Sequence, residues 1–247
     1  MFTFSALMDT SSGYKEKNLP EKWDILEKLY DQNIKPKGEA KIPKIIHQIW
    51  LGEAIPNKLY EYMDTVKANN PGYEYNLWTD VEADDFEFKN KELYNSCRNL
   101  GQKSDILRYA ILEKFGGIYL DTDFVCIKSF DELLHLDFFT GVAYDKEPTL
   151  FNGLIGCVPN HELIIDLNDI KQVSDRDGMD VIKTTGPWYL TKKLFKKIDS
   201  LNNIVVLPLA YFYPYPNFDR DRTKGDDYNS YSTIKTICIH LWNSHWN

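Results

Sequence analysis

The sequence predicts a single α/β domain built on a mostly parallel sheet flanked by helices. Short apolar runs that are typical of buried strands alternate with longer segments whose apolar residues recur at helical spacing. Clusters of glycine and proline separate many of these segments, as expected where strands and helices are joined. A chain of 247 residues is long enough to form one large domain with a substantial core.

The first hundred residues predict a parallel strand, helix, strand unit behind an N-terminal helix. Residues 20–33 carry apolar side chains at helical spacing and predict an amphipathic helix. Residues 44–51 are a short apolar run that ends at a glycine, which favours a buried strand. A helix over 57–69 and an alternating strand over 73–78 follow, and their lengths favour a parallel unit. Residues 81–100 are polar and predict a helix and a connector.

The rest of the chain continues the alternation of strands and helices. Ser104 is a candidate N-cap for a helix that ends at Phe115, before two glycines and a strand over 118–120. We divide the chain into an N-terminal helical extension, residues 1–41, and one domain, residues 42–247. Further strands are predicted at 137–143, 150–158, 204–207 and 235–241, with helices near 161–172 and 187–197.

The charge of the chain excludes some classes of partner. Lysine and arginine number 29 against 37 aspartate and glutamate residues, which gives a net charge of −8. General polyanion binders are basic, so we expect no nucleic-acid partner. If an acidic chain binds a phosphorylated ligand, arginine, a helix N-terminus or a metal must neutralise the phosphates locally.

The sequence predicts neither a membrane span nor a secretory signal. No run approaches the roughly 20 apolar residues of a membrane span, and residues 1–8 are too short for a signal-peptide core. We therefore expect a cytoplasmic protein with at most peripheral contact at the inner face of the membrane. The four cysteines lie far apart without metal-ligand spacing, so buried reduced thiols are favoured over disulfides.

The most informative segment is SDILRYAILEKFGGIYLDTD, residues 104–123. Asp105 and Arg108 share one helix face, where an isolated pair would typically be a surface salt bridge. Asp121 and Asp123 follow the next strand two residues apart, so both carboxylates point to one side. Two like charges held together favour a bound cation, and their oxygen ligands suit Mg²⁺ or Mn²⁺ better than zinc. Because ligands of open α/β sheets bind beyond the carboxyl ends of strands, we expect the cation to bridge the carboxylates to a diphosphate.

The chain resembles the DXD-containing sugar transferases of glycosyltransferase family 32. The resemblance is close over residues 42–128, which include most of KIPKIIHQIWLG and all of the segment above, and continues in short islands. These islands are Asn152-Gly153, Thr185-Gly186-Pro187 and a C-terminal Ser-x-Trp. The family includes initiating α-1,6-mannosyltransferases and capsular and lipopolysaccharide sugar transferases, with the clostridial glucosylating toxins more distant. The resemblance implies a GT-A type fold with a Rossmann-like sheet, a nucleotide-sugar donor and retention of anomeric configuration.

Roles for individual residues follow from the same resemblance. Asp123 would ligate the metal directly, whereas Asp121 would hold the donor ribose and reach the metal through water. Asp105 and Arg108 would grip the sugar hydroxyls and the phosphate side of the donor. Trp50 would stack on the nucleotide base, although a tryptophan at the end of a strand is otherwise a core residue. Asn152 would lie beneath the sugar ring. The candidate catalytic residues are then Asp105, Arg108, Asp121, Asn152 and Trp246. The candidate donor-binding residues are Trp50, Asp105, Arg108, Tyr119, Asp121, Ser244 and Trp246.

The C-terminal segment HLWNSHWN is poor core material, because each buried polar group would need a partner. As a closing lid, Asn243 or Ser244 could complete the metal shell and Trp246 could donate its indole hydrogen to the leaving phosphate. His240 is a further candidate metal ligand, with a paired structural histidine as an equal alternative.

Several other motifs have two interpretations. Asn152-Gly153 could be a structural turn alone, and Thr185-Gly186-Pro187 could mark a helix start or line the acceptor side. His47 is expected to be a buried, hydrogen-bonded histidine. The lysines at 192, 193, 196 and 197 predict a solvated helix face, with an anionic membrane surface or a lipid phosphate as the functional alternative.

The predicted function is a retaining, metal-dependent transfer of a hexose from a nucleoside diphosphate sugar to a carbohydrate hydroxyl in surface polysaccharide synthesis. A UDP-sugar is favoured over a GDP-sugar, and the acceptor is a glycan or a lipid-linked oligosaccharide. One alternative is a haloacid dehalogenase-type phosphotransferase, because residues 121–125 also fit DxDx[TV]. The mid-chain position of Asp121 argues against a phosphotransferase. This alternative also leaves the helix that carries Asp105 without a role. A non-catalytic nucleotide-sugar or glycan-binding module is the other alternative.

Overall fold

The computed structural model describes residues 3–8, 23–36, 38–145, 147–174, 178–217 and 227–243. These residues form an α/β structure with eight strands and ten α-helices. The strands are β1 (Ile45–Ile49), β2 (Glu74–Trp78), β3 (Gly117–Leu120), β4 (Phe124–Cys126), β5 (Phe138–Asp145), β6 (Glu147–Cys157), β7 (Ile204–Leu207) and β8 (Cys238–His240). The helices are α1 (Phe4–Met8), α2 (Asp24–Asn33), α3 (Asn57–Asn69), α4 (Asp80–Asp85), α5 (Lys91–Ser96), α6 (Leu100–Phe115), α7 (Glu162–Leu167), α8 (Gly178–Thr184), α9 (Pro187–Lys197) and α10 (Leu209–Phe212).

Six strands form the main sheet in the order β2, β1, β3, β6, β5, β7. Strand β6 is antiparallel to both neighbours, and the other adjacent pairs are parallel. The remaining strands, β4 and β8, pair antiparallel as a separate ribbon. The predicted α/β class with a mostly parallel sheet is therefore confirmed.

Most apolar side chains of the sheet and its helices form one core, and a small second cluster consists of Leu59, Tyr62, Met63 and Val125. Strands β3 and β7 are buried along their whole length, as expected for strands that helices cover. The N-terminal helices contribute to the same core through Phe4 and Leu26. Tyr30 of α2 also pairs its hydroxyl with that of Tyr211 at 2.9 Å. No helix among the described residues is both long and apolar enough to cross a bilayer.

Three elements match their predicted bounds, namely α3, α9 and β7. The helix expected to begin after Ser104 starts earlier, at Leu100, because the Asn99 side chain caps it by accepting a hydrogen bond from the Gln102 backbone N–H. Ser104 is instead buried within α6. The interpretation of Asn152-Gly153 as a turn is wrong, since both residues lie inside β6.

Candidate active site

The candidate site lies where β1 and β3 end side by side. The two strands are parallel, with His47 in register with Tyr119, so the residues that follow them reach the same edge of the sheet. A cavity of about 360 Å³ opens there. Its lining includes many predicted site residues: Trp50, Asp105, Arg108, Asp121, Asp123, Asn152, Gly153, His240 and Asn243.

Asp121, Asp123 and His240 form a cluster suited to a metal ion. One ligand atom from each lies within 4.8 Å of the others. His240 Nε2 is 3.0 Å from Asp123 Oδ1 and 3.9 Å from Asp121 Oδ2. Two carboxylates and one imidazole are an appropriate donor set for Mn²⁺, and the carboxylates also suit Mg²⁺. The residues present therefore fit the divalent cation expected from the sequence.

The short ribbon β4–β8 brings His240 to the two aspartates. Its register places His240 opposite Phe124, the residue after Asp123, although the two positions are far apart in sequence. The backbone extends this pairing, because the Leu241 N–H donates to the Asp123 carbonyl at 3.1 Å. The Asn243 N–H donates to Asp123 Oδ2 at 2.8 Å, which fixes the carboxylate beside the histidine.

Not every predicted residue of the C-terminal segment can be placed. Asn243 lies at the cavity and bonds Asp123 through its backbone. Ser244 and Trp246 lie outside the described residues. Trp242, which was not singled out from the sequence, lines the cavity and donates its indole hydrogen to the Tyr215 carbonyl at 2.8 Å.

Arg108 connects the predicted site residues of α6, β3 and β6. Its Nη2 donates to Asp121 Oδ1 at 3.1 Å and to the Tyr119 hydroxyl at 3.0 Å. Its Nη1 donates to the Asn152 carbonyl at 2.6 Å. The Tyr119 hydroxyl also donates to Asp121 Oδ1 at 2.6 Å, so the carboxylate is held from two sides. Since Arg108 is buried, its charge acts in a low-dielectric setting and offsets that of the aspartates.

Asp105 is a buried carboxylate surrounded by donors. Asn152 Nδ2 donates to its Oδ1 at 2.7 Å, and the Thr185 hydroxyl donates to its Oδ2 at 2.8 Å. Burial raises the pKa of Asp105, whereas Arg108 and the two hydrogen bonds oppose the rise. Asp105 and Asn152, predicted from separate motifs, therefore belong to one hydrogen-bonded unit.

Thr185 and Tyr109 are site residues whose roles the sequence interpretation missed. Thr185 belongs to a motif considered as a helix start or an acceptor-side lining, yet its hydroxyl holds Asp105. Tyr109 donates to the Thr185 carbonyl at 2.7 Å and accepts from Asn152 Nδ2 at 3.2 Å. Its position next to Arg108 in the SDILRY segment could have indicated a role, but an aromatic residue in a buried helix is typically core.

Trp50 follows β1 directly and is half-buried at the cavity. Part of its ring packs against the cluster around Leu59 and Met63 of α3. Its Nε1 donates to the Glu53 carbonyl at 2.6 Å, which fixes the orientation of the ring. The side chain is therefore not a fully buried core tryptophan, and part of it borders the space open to a ligand.

His47 lies inside β1 and contacts no part of the metal cluster. Its Nε2 is 3.2 Å from the Gly116 carbonyl, and its Nδ1 accepts from Trp78 Nε1 at 3.2 Å. Burial lowers the pKa of His47 to about 4, so the ring is neutral at physiological pH. It is the buried, hydrogen-bonded histidine that was expected.

Comparisons with known proteins add an independent observation. The family model described as "Glycosyltransferase sugar-binding region containing DXD motif" matches residues 56–139, which contain Asp105, Arg108, Asp121 and Asp123. An uncharacterised glycosyltransferase of Acanthamoeba polyphaga mimivirus is 31% identical over 215 residues, covering 81% of this chain and 85% of that protein. The chain belongs to the DXD-containing glycosyltransferase family. Membership of this family replaces the phosphotransferase alternative. The GT-A assignment remains a prediction from the resemblance.

Two fungal proteins are also similar to the chain. Inositol phosphoceramide mannosyltransferase 3 of Schizosaccharomyces pombe is 33% identical over 152 residues, 59% of this chain and 42% of that protein. A mannosyl phosphorylinositol ceramide synthase of Saccharomyces cerevisiae is 29% identical over 221 residues, 83% of this chain and 56% of that protein. The chain thus spans about half the length of these two relatives. Among solved structures, the PaToxG glycosyltransferase gives a TM-score of 0.49 at 21% identity, covering 73% of this chain and 80% of that one.

Proposed function

We propose that this glycosyltransferase is metal-dependent and transfers a hexose from a nucleoside diphosphate sugar with retention of configuration. The observation that carries the proposal is the cluster of Asp121, Asp123 and His240 beside the buried Arg108 at one cavity. An acidic chain needs local positive charge to bind a diphosphate, and this cavity combines a candidate cation site with a guanidinium. Carboxylates, imidazole and guanidinium are thus concentrated where a nucleotide sugar would bind.

In this proposal Asp123 and His240 would hold the cation, and Asp121 would contribute a further carboxylate oxygen, either directly or through water. When bound, a divalent cation supplies Lewis-acid stabilisation of the negative charge that develops on the leaving diphosphate. Arg108 would add a fixed positive charge at the same cavity, because Asp121 and the Asn152 carbonyl hold its guanidinium in place. Such pre-oriented charge stabilises a transition state without reorganisation during the reaction. Ser244 and Trp246 keep the roles that the resemblance assigns to them.

The donor sugar is assigned to the part of the cavity floored by Asp105, Asn152 and Gly153. Asp105 accepts hydrogen bonds from both Thr185 and Asn152, so its carboxylate is oriented before any ligand binds. This orientation suits recognition of sugar hydroxyls by a carboxylate that does not move. We assign the half-buried Trp50 to stacking on the nucleotide base. Stacking of an aromatic ring on a base contributes about 1 to 3 kcal/mol of binding free energy in single-strand nucleic-acid binders.

Between the two retaining mechanisms, the partners of the cavity carboxylates favour front-face attack over a covalent intermediate. Asp105 is engaged by Asn152 and Thr185, and Asp121 by Arg108 and Tyr119. Asp123 is held by His240 and by the Asn243 backbone. A covalent intermediate requires a carboxylate free to attack the sugar, so front-face attack guided by the leaving phosphate is favoured.

The acceptor is proposed as a hydroxyl of a glycan or of a lipid-linked sugar or cyclitol. The sequence favoured surface polysaccharide synthesis, whereas the printed names of the two fungal relatives refer to inositol phosphoceramide. Both acceptor classes present a ring hydroxyl next to a phosphate or a sugar. We propose a UDP-sugar as the donor. GDP-mannose is the donor to test against it, because the names of the fungal relatives refer to mannosyl transfer.

A donor screen tests the proposal. The purified protein is mixed with UDP-glucose, UDP-galactose, UDP-N-acetylglucosamine or GDP-mannose, in Mn²⁺, Mg²⁺ or EDTA, and released nucleotide diphosphate is measured. The expected result is release from one donor that requires the cation and disappears in Asp123→Asn. Product transferred to inositol phosphoceramide or an oligosaccharide is then analysed by NMR, which should show the donor's anomeric configuration. Equal turnover in EDTA, or an inverted product, would overturn the corresponding part of the proposal.

A further inference from the structure

An exposed face of α8 and α9 adjoins the cavity and has no role in the site described above. In α8, Val181 lines the cavity and Met179, on another side of the helix, is 44% exposed. In α9, Pro187 lines the cavity and the next residue, Trp188, is 41% exposed. Large apolar side chains at this exposure beside a cavity mark a candidate contact surface.

Helical spacing combines these apolar residues with lysines. Met179 and Lys183 are four residues apart on α8, and Trp188, Lys192 and Lys196 follow the same spacing on α9. All five side chains are exposed. Lys183 Nζ lies 5.7 Å from the centre of the Trp188 ring, which joins the two helices into one surface. We call these five residues the α8–α9 face.

The α8–α9 face is positive on a protein whose net charge is −8. Helix α9 carries four lysines and no acidic residue. Lys193 points to a different neighbour, because its Nζ pairs with Asp166 Oδ1 at 3.3 Å. Lys192 and Lys196 form no ion pair with any residue that the structure describes. Their charges therefore remain available to an anionic surface.

We propose that the α8–α9 face binds the surface of an anionic lipid bilayer. Tryptophan is favoured at the boundary between headgroups and acyl chains, where its indole meets both apolar and polar surroundings. Lysines flanking an apolar strip are attracted to anionic headgroups, as in amphipathic segments that lie on a membrane. The face would thus turn the cavity mouth toward the bilayer. This last consequence rests on the proposed function, because it would present a lipid-linked acceptor to the donor site.

Vesicle cosedimentation tests the proposal directly. The full chain is mixed with vesicles of phosphatidylcholine alone or of phosphatidylcholine with phosphatidylinositol, without donor or metal. Binding to the anionic vesicles is expected, with little binding to the neutral ones and a decline as salt rises. Lys192→Ala/Lys196→Ala should weaken binding about 25-fold, because each lysine near an anionic surface contributes about fivefold. Trp188→Ala should weaken it about tenfold.

Matched variants distinguish this face from the rest of the surface. Lys58→Ala/Lys67→Ala removes two exposed lysines from α3, and Tyr60→Ala removes an exposed aromatic ring from the same helix. Both should bind vesicles like the unmodified protein. The proposal would be overturned if the α3 variants lost as much vesicle binding as the α9 variants, or if the α9 variants bound vesicles fully. It would also be overturned if the unmodified protein bound no anionic vesicles, including the case in which it bound an acidic protein instead.

Donor hydrolysis in solution is measured on the same variants. Unchanged hydrolysis in Trp188→Ala with reduced vesicle binding supports a docking role separate from catalysis. If the protein binds vesicles but hydrolyses no nucleotide sugar, the proposed function fails and the membrane surface stands. If it hydrolyses a donor but binds no vesicle, the proposed function stands and the membrane surface fails.

Discussion

Gly153 lies so close to Asp121 that a Cβ atom at residue 153 would be 2.6 Å from Asp121 Oδ2. The backbones meet as well, because the Asp121 N–H donates to the Gly153 carbonyl at 2.8 Å. Strand β6 therefore sets the floor against which this carboxylate rests. Arg108 and Tyr119 hold its Oδ1, so the aspartate has little freedom to move away.

We expect Gly153→Ala to disrupt the candidate site without unfolding the protein. The added methyl group must displace the Asp121 carboxylate, and misplacement of a reacting group by about 1 Å costs on the order of 100-fold in rate. Donor turnover and the melting temperature are measured together. Gly178→Ala is the control, because a Cβ there meets nothing within 4 Å. Wild-type turnover in Gly153→Ala would show that Asp121 can relax at no functional cost.

Trp50→Ala should weaken binding of a nucleoside diphosphate. Loss of a stacking partner costs about 1 to 3 kcal/mol in single-strand nucleic-acid binders, which corresponds to about 30-fold in affinity at the middle of that range. Calorimetric titration with UDP and GDP measures the effect and compares the two bases. Trp78→Phe is the control, because Trp78 packs in the aromatic cluster with Phe86 and Phe115. If Trp50→Ala lowered stability while nucleotide affinity stayed unchanged, Trp50 would be a packing residue.

Thr185→Val should affect donor binding through Asp105. The variant keeps the shape of the side chain but removes the hydroxyl that donates to Asp105 Oδ2, which costs about 1 to 3 kcal/mol at a buried acceptor. KM for the donor should rise. Thr191→Val also loses hydrogen bonds, to the Pro187 carbonyl and from the Leu150 N–H, and should lower stability without changing KM. An unchanged KM in Thr185→Val would separate Thr185 from sugar recognition.

His47 makes stability depend on pH. Burial lowers its pKa to about 4, against an ordinary value near 6.5, so the unfolded chain binds the proton more readily than the folded chain. Stability from this group is therefore complete above pH 6.5 and is lost as pH falls toward 4, by about 3 kcal/mol in total. His47→Gln should show a shallower loss in denaturant titrations over that range. At neutral pH, the difference in free energy of unfolding between the two proteins gives the cost of the packing lost with His47. If the two free energies fell in parallel below neutral pH, His47 would not be the group responsible.

The strand and helix positions near the site could be predicted because local rules decide them. A Pro at the first position begins α9, and an apolar run flanked by glycine and proline forms β1. Asn152 and Gly153 were considered as a turn because their type is typical of turns, whereas they lie inside β6 where its register with β5 shifts, between the Phe151–Gly141 and Ile155–Thr140 pairs. The cap at Asn99 was missed because Ser104 offered an equally ordinary cap nearer the motif.

The site shows the same division between local and long-range information. Asp105, Arg108, Asp121 and Asp123 lie within one short segment, so spacing on a helix and a strand brought them together. The proximity of His240 depends on the pairing of β8 with β4. A strand over 235–241 was predicted, but the three-residue β4 is too short a pattern to be recognised in the sequence. Thr185 reaches Asp105 only through the packing of α8 and α9 against α6 and β6. Its side-chain role therefore followed from tertiary structure alone.

The most direct test of the central claim is manganese binding and donor turnover in Asp123→Asn. Asparagine keeps one oxygen to accept the Asn243 N–H, and removing one of two neighbouring like charges relieves repulsion, so the fold should persist. Calorimetric titration with Mn²⁺ in the presence of the nucleoside diphosphate is paired with a turnover assay on the same sample. We expect a folded variant that has lost cation binding and cation-dependent turnover. A folded variant that binds Mn²⁺ and turns over donor like the unmodified protein would contradict it.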